Sequence, residues 1–200
     1  MTQDVLIVDN GGANIASIGF ALARLKRTAR VSSDATDILE ADHVILPGVG
    51  SAGHAMDRLQ RNGLDTALRA RTRPLLGICL GMQLLFEHSE ESNTSCLGAL
   101  DGRIERLVGS AGVYVPHMGW NRLDMAHPHV LFEGIQAGSY AYFVHSYAAP
   151  LSEHTTARCE HGRVFSAAVS RGSFHGVQFH PERSGPLGAR LFENFLAMAA

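Results

Sequence analysis

Cys79 stands between two glycines in Gly77-Ile78-Cys79-Leu80-Gly81, where an apolar run gives way to a helical pattern. That placement suits a nucleophile mounted on a sharp turn. In the serine hydrolases a G-x-S-x-G turn is strained, leaves no room for flanking side chains and aims the nucleophile outward. A thiol there gains more, because a helix N-terminus carries about half a positive charge and favours thiolate over thiol. The same pentapeptide also fits a small buried cysteine at a tight strand-to-helix turn. A cysteine nucleophile needs a base, and the base needs an orienting group. About a hundred residues downstream, Gly176-Val177-Gln178-Phe179-His180-Pro181-Glu182 offers both. Pro181 pushes His180 out of helical geometry, and side chains two apart in an extended chain share a side. His180 and Glu182 are therefore expected to project together, the carboxylate fixing the imidazole tautomer and stabilising the cation formed when the ring takes the thiol proton. In isolation the tripeptide reads more readily as a surface histidine and glutamate at a strand end; beside the Cys79 turn the preference reverses.

Pro47-Gly48-Val49-Gly50 follows an apolar run, and its glycines leave the Val49 backbone free to turn an N–H toward a tetrahedral oxyanion. The second donor would be the N–H of Leu80, just after the cysteine. A Gly-rich turn leading into a helix explains these residues as well, and no Gly-Lys-Ser/Thr follows to make a P-loop. Gln83, four residues beyond Cys79, returns to the same helical face one turn later, within reach of a bound substrate; a solvent-exposed glutamine is the default otherwise. The histidines at 127, 129, 145, 175 and 180 form no H-E-x-x-H pair, and His127 and His129, flanking Pro128, read as loop residues rather than metal ligands.

These residues need a scaffold. Val5–Asp9, His43–Leu46 and Pro74–Ile78 read as short buried strands, alternating with helices at Asn14–Lys26 and Ala52–Arg69; Met82–Phe86 continues as a helix after the Cys79 turn. That alternation predicts an α/β fold with an open, mostly parallel sheet covered by helices on both faces. The second half is richer in strands, at Gly102–Leu107, Ala141–Tyr147, Arg163–Val169 and Phe174–Phe179, before a final helix Leu187–Met198. In open parallel sheets ligands bind beyond the carboxyl ends of strands. The segments at 10–12, 47–50, 77–81 and 180–182 all fall there, as candidates for one shared site.

At 200 residues and 46% hydrophobic content the chain can bury a sizeable core, and no linker or repeat divides it, so one domain over 1–200 is expected. A charged fraction of 18% and a formal charge of -2 leave no footprint for nucleic acid, the densest basic run being Arg69-Ala70-Arg71-Thr72-Arg73. The apolar run Val5–Val8 is too short for a signal-peptide core or a membrane span. Cys79, Cys96 and Cys159 have no C-x-x-C spacing and read as reduced thiols in a cytoplasmic protein.

With 77–83 and 176–182 both in view, the chain resembles the class I, or triad, glutamine amidotransferases. Pro47-Gly48-Val49-Gly50-Ser51, Pro116-His117-Met118-Gly119-Trp120-Asn121 and Tyr142-Phe143-Val144-His145-Ser146-Tyr147 narrow the resemblance to the glutaminase subunits of imidazole glycerol phosphate synthases, from Val5 to the last helix in matching order. The resemblance implies hydrolysis of L-glutamine through a cysteine thioester, with ammonia passed to a (β/α)8 cyclase subunit in a heterodimer, and no cofactor or metal. It makes Cys79 the nucleophile, His180 the base and acid, and Glu182 its orienting partner. Gly48, Val49, Gly50 and Leu80 would form the oxyanion site, and Gln83, His145, Ser146 and Tyr147 would bind glutamine. Gly12, Trp120, Tyr142 and Arg183 would face the cyclase. Arg183 stands where the family usually has lysine, and the segment 10–14 varies from the commoner version; neither touches the triad. A glutaminase serving another synthase is the nearest rival, and 116–121 argues against it. A catalytically silent binding subunit is the other, and retention of Cys79, His180 and Glu182 together argues against that.

Overall fold

The computed structural model describes residues 3–11 and 15–199. Its first half alternates strand and helix: β1 (Val5–Val8), α1 (Ile15–Arg24), β2 (Arg30–Ser32), α2 (Ala35–Glu40), β3 (His43–Leu46), α3 (Ala52–Arg61), α4 (Leu64–Arg69) and β4 (Leu75–Ile78). β2 and α2 carry weak periodic signals, since β2 has one apolar residue in three. α2 starts because the Asp34 carboxylate accepts from the N–H groups of Thr36 (2.7 Å) and Asp37 (3.4 Å). The helix expected over 52–69 is two helices: Gly63 takes φ +67°, a left-handed conformation that ends α3 and lets α4 start on a new course.

The helix expected through Phe86 is also shorter. α5 (Leu80–Gln83) is a single turn, and Phe86 instead opens β5 (Phe86–Ser89). The carbonyls that would continue the helix are taken by the returning chain: Leu97 N–H donates to the Leu84 carbonyl and Ala99 N–H to that of Leu85, at 2.9 and 2.8 Å. There follow β6 (Thr94–Ser95), β7 (Leu100–Arg106), β8 (His117–Arg122), β9 (Asp124–Met125), β10 (Tyr140–His145), β11 (Tyr147–Ala148), β12 (Thr155–His161), β13 (Arg163–Arg171), β14 (Phe174–Val177) and α6 (Gly185–Leu196). The strand expected over 141–147 is interrupted at Ser146, and the one expected to Phe179 stops at Val177.

The main sheet has the order β2-β1-β3-β4-β14-β13-β12-β9. Its first five strands run parallel to their neighbours, and the last three pair antiparallel. Gly162 alone joins β12 to β13 and two residues join β13 to β14, and so short a turn can only reverse a strand. Both faces of the parallel half are buried, with alternate residues serving separate cores: Val5, Ile7, Ile45, Leu76 and Ile78 pack on the α1 and α6 side, while Leu6, Val8, Val44 and Leu46 pack on the α3 and α4 side. Among the described residues no helix is long and apolar enough to cross a membrane.

One pairing decides the site. β14 lies beside β4 in parallel register, Gly176 opposite Gly77 and Val177 opposite Ile78. The chain leaving β14 therefore emerges next to Cys79, whose N–H donates to the Val177 carbonyl at 2.8 Å.

Candidate active site

Cys79 has φ +53° and ψ −111°, a conformation that costs an L-residue of order 1–3 kcal/mol and persists only where its surroundings enforce it. Close backbone packing does so here. A Cβ on Gly77 would lie 2.6 Å from the Gly81 carbonyl oxygen, one on Gly48 2.5 Å from the Gly81 nitrogen, and one on Gly81 1.9 Å from the Leu46 carbonyl oxygen. The end of β3 and the Cys79 turn thus touch backbone to backbone, which requires glycine at all three positions.

His180 keeps the extended conformation expected before Pro181, at φ −98° and ψ 96°. Glu182, however, sits in a short 3-10 turn over Pro181–Arg183, so the two side chains meet by a turn rather than along an extended strand. Nδ1 of His180 lies 2.8 Å from Oε1 of Glu182, both residues being buried. Burial disfavours the imidazolium, but the Cys79 side chain and Glu182 more than offset it and push the His180 pKa up to about 10. Its buried Nε2 makes no hydrogen bond of good geometry, leaving that atom for the neighbouring sulfur or a substrate.

The His180 backbone is held by β10. Its N–H donates to the Tyr142 carbonyl at 2.9 Å, and the Ser184 hydroxyl clips the two, donating to the His180 carbonyl (2.7 Å) and accepting from the Tyr142 N–H (3.0 Å). The Cys79 thiol approaches the Val144 carbonyl at 3.8 Å. A cleft of about 300 Å³ opens at this point, lined by Gly50, Cys79, Leu80, Gln83 and the segment 144–147. It collects most of the residues expected to bind an oxyanion or glutamine. Gly48 packs behind it on Leu80 and Gly81, and Val49 is half-buried. Two larger grooves, of about 750 and 710 Å³, run along residues 121–138 and 158–164 and contain none of Cys79, His180 and Glu182.

A strained cysteine, an adjacent imidazole and a carboxylate on its far nitrogen are the parts of a nucleophile, base and orienter. The profile of the family "Glutamine amidotransferase class-I" matches residues 6–199. The chain belongs to the class I glutamine amidotransferases. It is 52% identical to the imidazole glycerol phosphate synthase subunit HisH of Xanthomonas euvesicatoria pv. vesicatoria (strain 85-10), over 98% of both chains. To the subunit of the same name from Vibrio cholerae serotype O1 it is 48% identical, over 99% of this chain and all of the relative. A solved structure described as a glutamine amidotransferase superposes with a TM-score of 0.74 at 21% identity, covering 96% of each chain, a likeness of fold.

On the outer face of this amidotransferase, β8 and β10 form a two-stranded ribbon with Trp120 opposite Tyr142 and Arg122 opposite Tyr140. Met118, Trp120 and Tyr140 are more than half exposed. The Arg183 guanidinium lies 5.3 Å from the Tyr142 ring centre, and Trp120 meets that ring edge-on at 6.0 Å. Trp120, Tyr142 and Arg183 thus form one surface cluster, and the stacking gives a planar guanidinium a use that an ammonium would fill less well. Gly12 lies outside the described residues.

The inner face of the ribbon links His145, expected to bind glutamine, to His117 and Asn121 in a chain that residue spacing does not announce. Nδ1 of His145 donates to the Tyr147 carbonyl (2.8 Å), which leaves Nε2 to accept from Nδ1 of His117 (2.9 Å), whose own Nε2 accepts from the Asn121 amide (3.1 Å). Burial pushes the pKa of His145 down to about 3 and that of His117 to about 4, so both rings stay neutral. His175, bonded to the Ser170 hydroxyl, is lowered to about 4 by the same cause. His129 accepts from the Leu131 N–H, and its ring lies near that of His175, away from the cleft.

These lowered values set a pH response. Groups that protonate only in the unfolded chain give stability that is complete above about pH 6.5 and is lost as pH falls toward 4. His180, with its raised pKa, acts above this window. The melting temperature is expected to drop steadily between pH 6.5 and 4. His175→Asn should flatten that slope, removing up to about 3 kcal/mol of pH-linked stability. Thermal melts that are flat across this window would refute the expectation.

Proposed function

We propose that this chain, as a single domain over 1–200, is the glutaminase subunit of an imidazole glycerol phosphate synthase. The observation that carries the reading is 52% identity along 98% of both chains to a subunit of that enzyme; the contact of Cys79 with His180, and of His180 with Glu182 at 2.8 Å, supports it. In this mechanism Cys79 sulfur attacks the carboxamide carbon of L-glutamine, and its proton passes to Nε2 of His180, whose cation Glu182 stabilises. The oxyanion is received by backbone N–H groups of Leu80 and the 48–50 segment. As the C–N bond breaks, His180 returns the proton to the departing ammonia, leaving a thioester. Water, deprotonated by His180, then releases glutamate and restores the thiol. Gln83 and the segment His145, Ser146 and Tyr147 hold the amino acid; no cofactor or metal takes part.

Ammonia is lost or protonated in water, so the reading requires a docked partner that receives it. The partner is the cyclase subunit, a (β/α)8 barrel that forms imidazole glycerol phosphate and an aminoimidazole carboxamide ribotide, seated on Trp120, Tyr142, Arg183 and the Gly12 segment. Three free, buried cysteines agree with a cytoplasmic location.

Mixed with a cyclase subunit and its acceptor ligand, the chain should hydrolyse glutamine on the order of a hundredfold faster than alone, because β10 joins the docking face to His180 and Gly50 of the 48–50 segment lines the cleft. Trp120→Ala should weaken association by roughly 10- to 100-fold, as loss of an aromatic anchor does. Full turnover by the isolated chain, or unchanged affinity in a titration of the variant, would count against this arrangement.

A further inference from the structure

Gln178 is fully buried, and the mechanism above gives it no part. Its main-chain N–H donates to the Ala167 carbonyl at 2.9 Å, and its side chain reaches two neighbours. Oε1 accepts from Nε2 of Gln83 at 2.9 Å, and Nε2 points to Cys79 Sγ at 3.7 Å. The direction of these bonds is dictated from one end. The Tyr147 carbonyl can only accept, and Gln83 Nε2 lies 2.9 Å from it, so Gln83 must turn its NH₂ toward that oxygen. The second hydrogen of the same NH₂ goes to Gln178, which must then present oxygen to Gln83 and its own NH₂ to the sulfur. A buried side-chain amide is costly unless bonded, so this arrangement is the one that satisfies both glutamines.

The sulfur has need of such a donor. α5 is a single turn, so the aligned peptide dipoles of a long helix are not available to hold negative charge on Cys79. We propose that Gln178 is a positioning residue for the Cys79 sulfur, its amide donating to the thiolate while its oxygen locks Gln83 at the floor of the cleft. This rests on the glutaminase reading above. By coupling thiol and Gln83 through one rigid side chain, it sets the distance between the attacking atom and the subsite that holds the substrate.

The test is alkylation of the full chain by iodoacetamide at neutral pH, with steady-state glutamine hydrolysis alongside. Burial raises the pKa of Cys96 to about 11 and that of Cys159 to about 12, so the reaction reports Cys79, with Cys79→Ala as the blank. Gln178→Met removes both bonds at similar volume and should slow alkylation about tenfold and lower kcat by at least as much, with a smaller rise in KM from the freed Gln83. Gln178→Glu keeps the oxygen that Gln83 uses but loses the NH₂ facing sulfur, and it should not restore the rate. Wild-type alkylation in Gln178→Glu, or a raised KM with unchanged kcat, would make Gln178 a mere support for Gln83 and overturn the proposal. Should neither variant fold, the side-chain amide resonance of Gln178 in the unmodified chain decides: it must move through the same pH range as the alkylation rate, and an invariant signal overturns the inference. Glutamine hydrolysis surviving in Cys79→Ala would instead sink the functional reading itself.

Discussion

Cys79→Ala should abolish glutamine-dependent synthesis by the assembled enzyme while leaving synthesis from added ammonium intact. Only the donor half-reaction uses the thiol; once free ammonia is supplied, the remaining bonds are made in the partner. Without its nucleophile a covalent mechanism has no parallel route of comparable speed, so glutamine turnover should fall on the order of 10⁴-fold or more. The fold should hardly notice. Alanine keeps the Cβ that already sits at φ +53°, and the sulfur's contacts with Val144 and Gln178 are long, 3.8 and 3.7 Å. Ammonium-dependent activity, circular dichroism and partner affinity should therefore match those of the unmodified chain. Equal loss with both nitrogen sources would show that Cys79 serves assembly or the partner's chemistry, and the assignment of the thioester step would fall.

Gly81→Ala carries the second large effect, through the backbone alone. The added methyl would sit 1.9 Å from the Leu46 carbonyl oxygen and 2.9 Å from its carbon, and neither atom is the tip of a flexible side chain. Either the end of β3 or the Cys79 turn must move by an ångström or more. Overpacking of this kind costs roughly 1–3 kcal/mol, which for a chain of this size lowers the melting temperature by roughly 3–10 °C. A reacting atom displaced by an ångström loses about 10²-fold in rate. Gly19→Ala is the contrast: it lies inside α1 with nothing within 4 Å, and should stabilise by about 0.5–1 kcal/mol with no effect on turnover. Similar melting curves and rates for both variants would mean that the β3 end is not what holds the cysteine in place.

The local parts of the site were legible because each follows from residues close in sequence. Gly-x-Cys-x-Gly encodes its own turn, since small residues are tolerated where backbones touch, and Pro181 by itself keeps His180 out of helical geometry. Short apolar runs separated by amphipathic stretches likewise announce a parallel sheet with both faces covered. The errors have two causes. Helical periodicity continues from Met82 into Phe86, yet the chain returning at 97–99 takes the carbonyls the helix needed; the run from Ala52 to Arg69 looks continuous, yet Gly63 bends it. Long-range hydrogen bonds and a single left-handed residue outweigh propensities worth a few tenths of a kcal/mol.

From its sequence alone this chain determined the residues able to do chemistry, the strain at Cys79 and the layered α/β class, since these depend on spacing, size and backbone restriction. Tertiary structure decided which of them meet. β14 could pair with any exposed strand edge of similar pattern; its parallel seat beside β4 brings residue 180 to residue 79. The same seat places Gln178 between the thiol and Gln83, a relation no spacing announces, because hydrogen bonds between side chains 95 and 99 residues apart exist only once the sheet order is set.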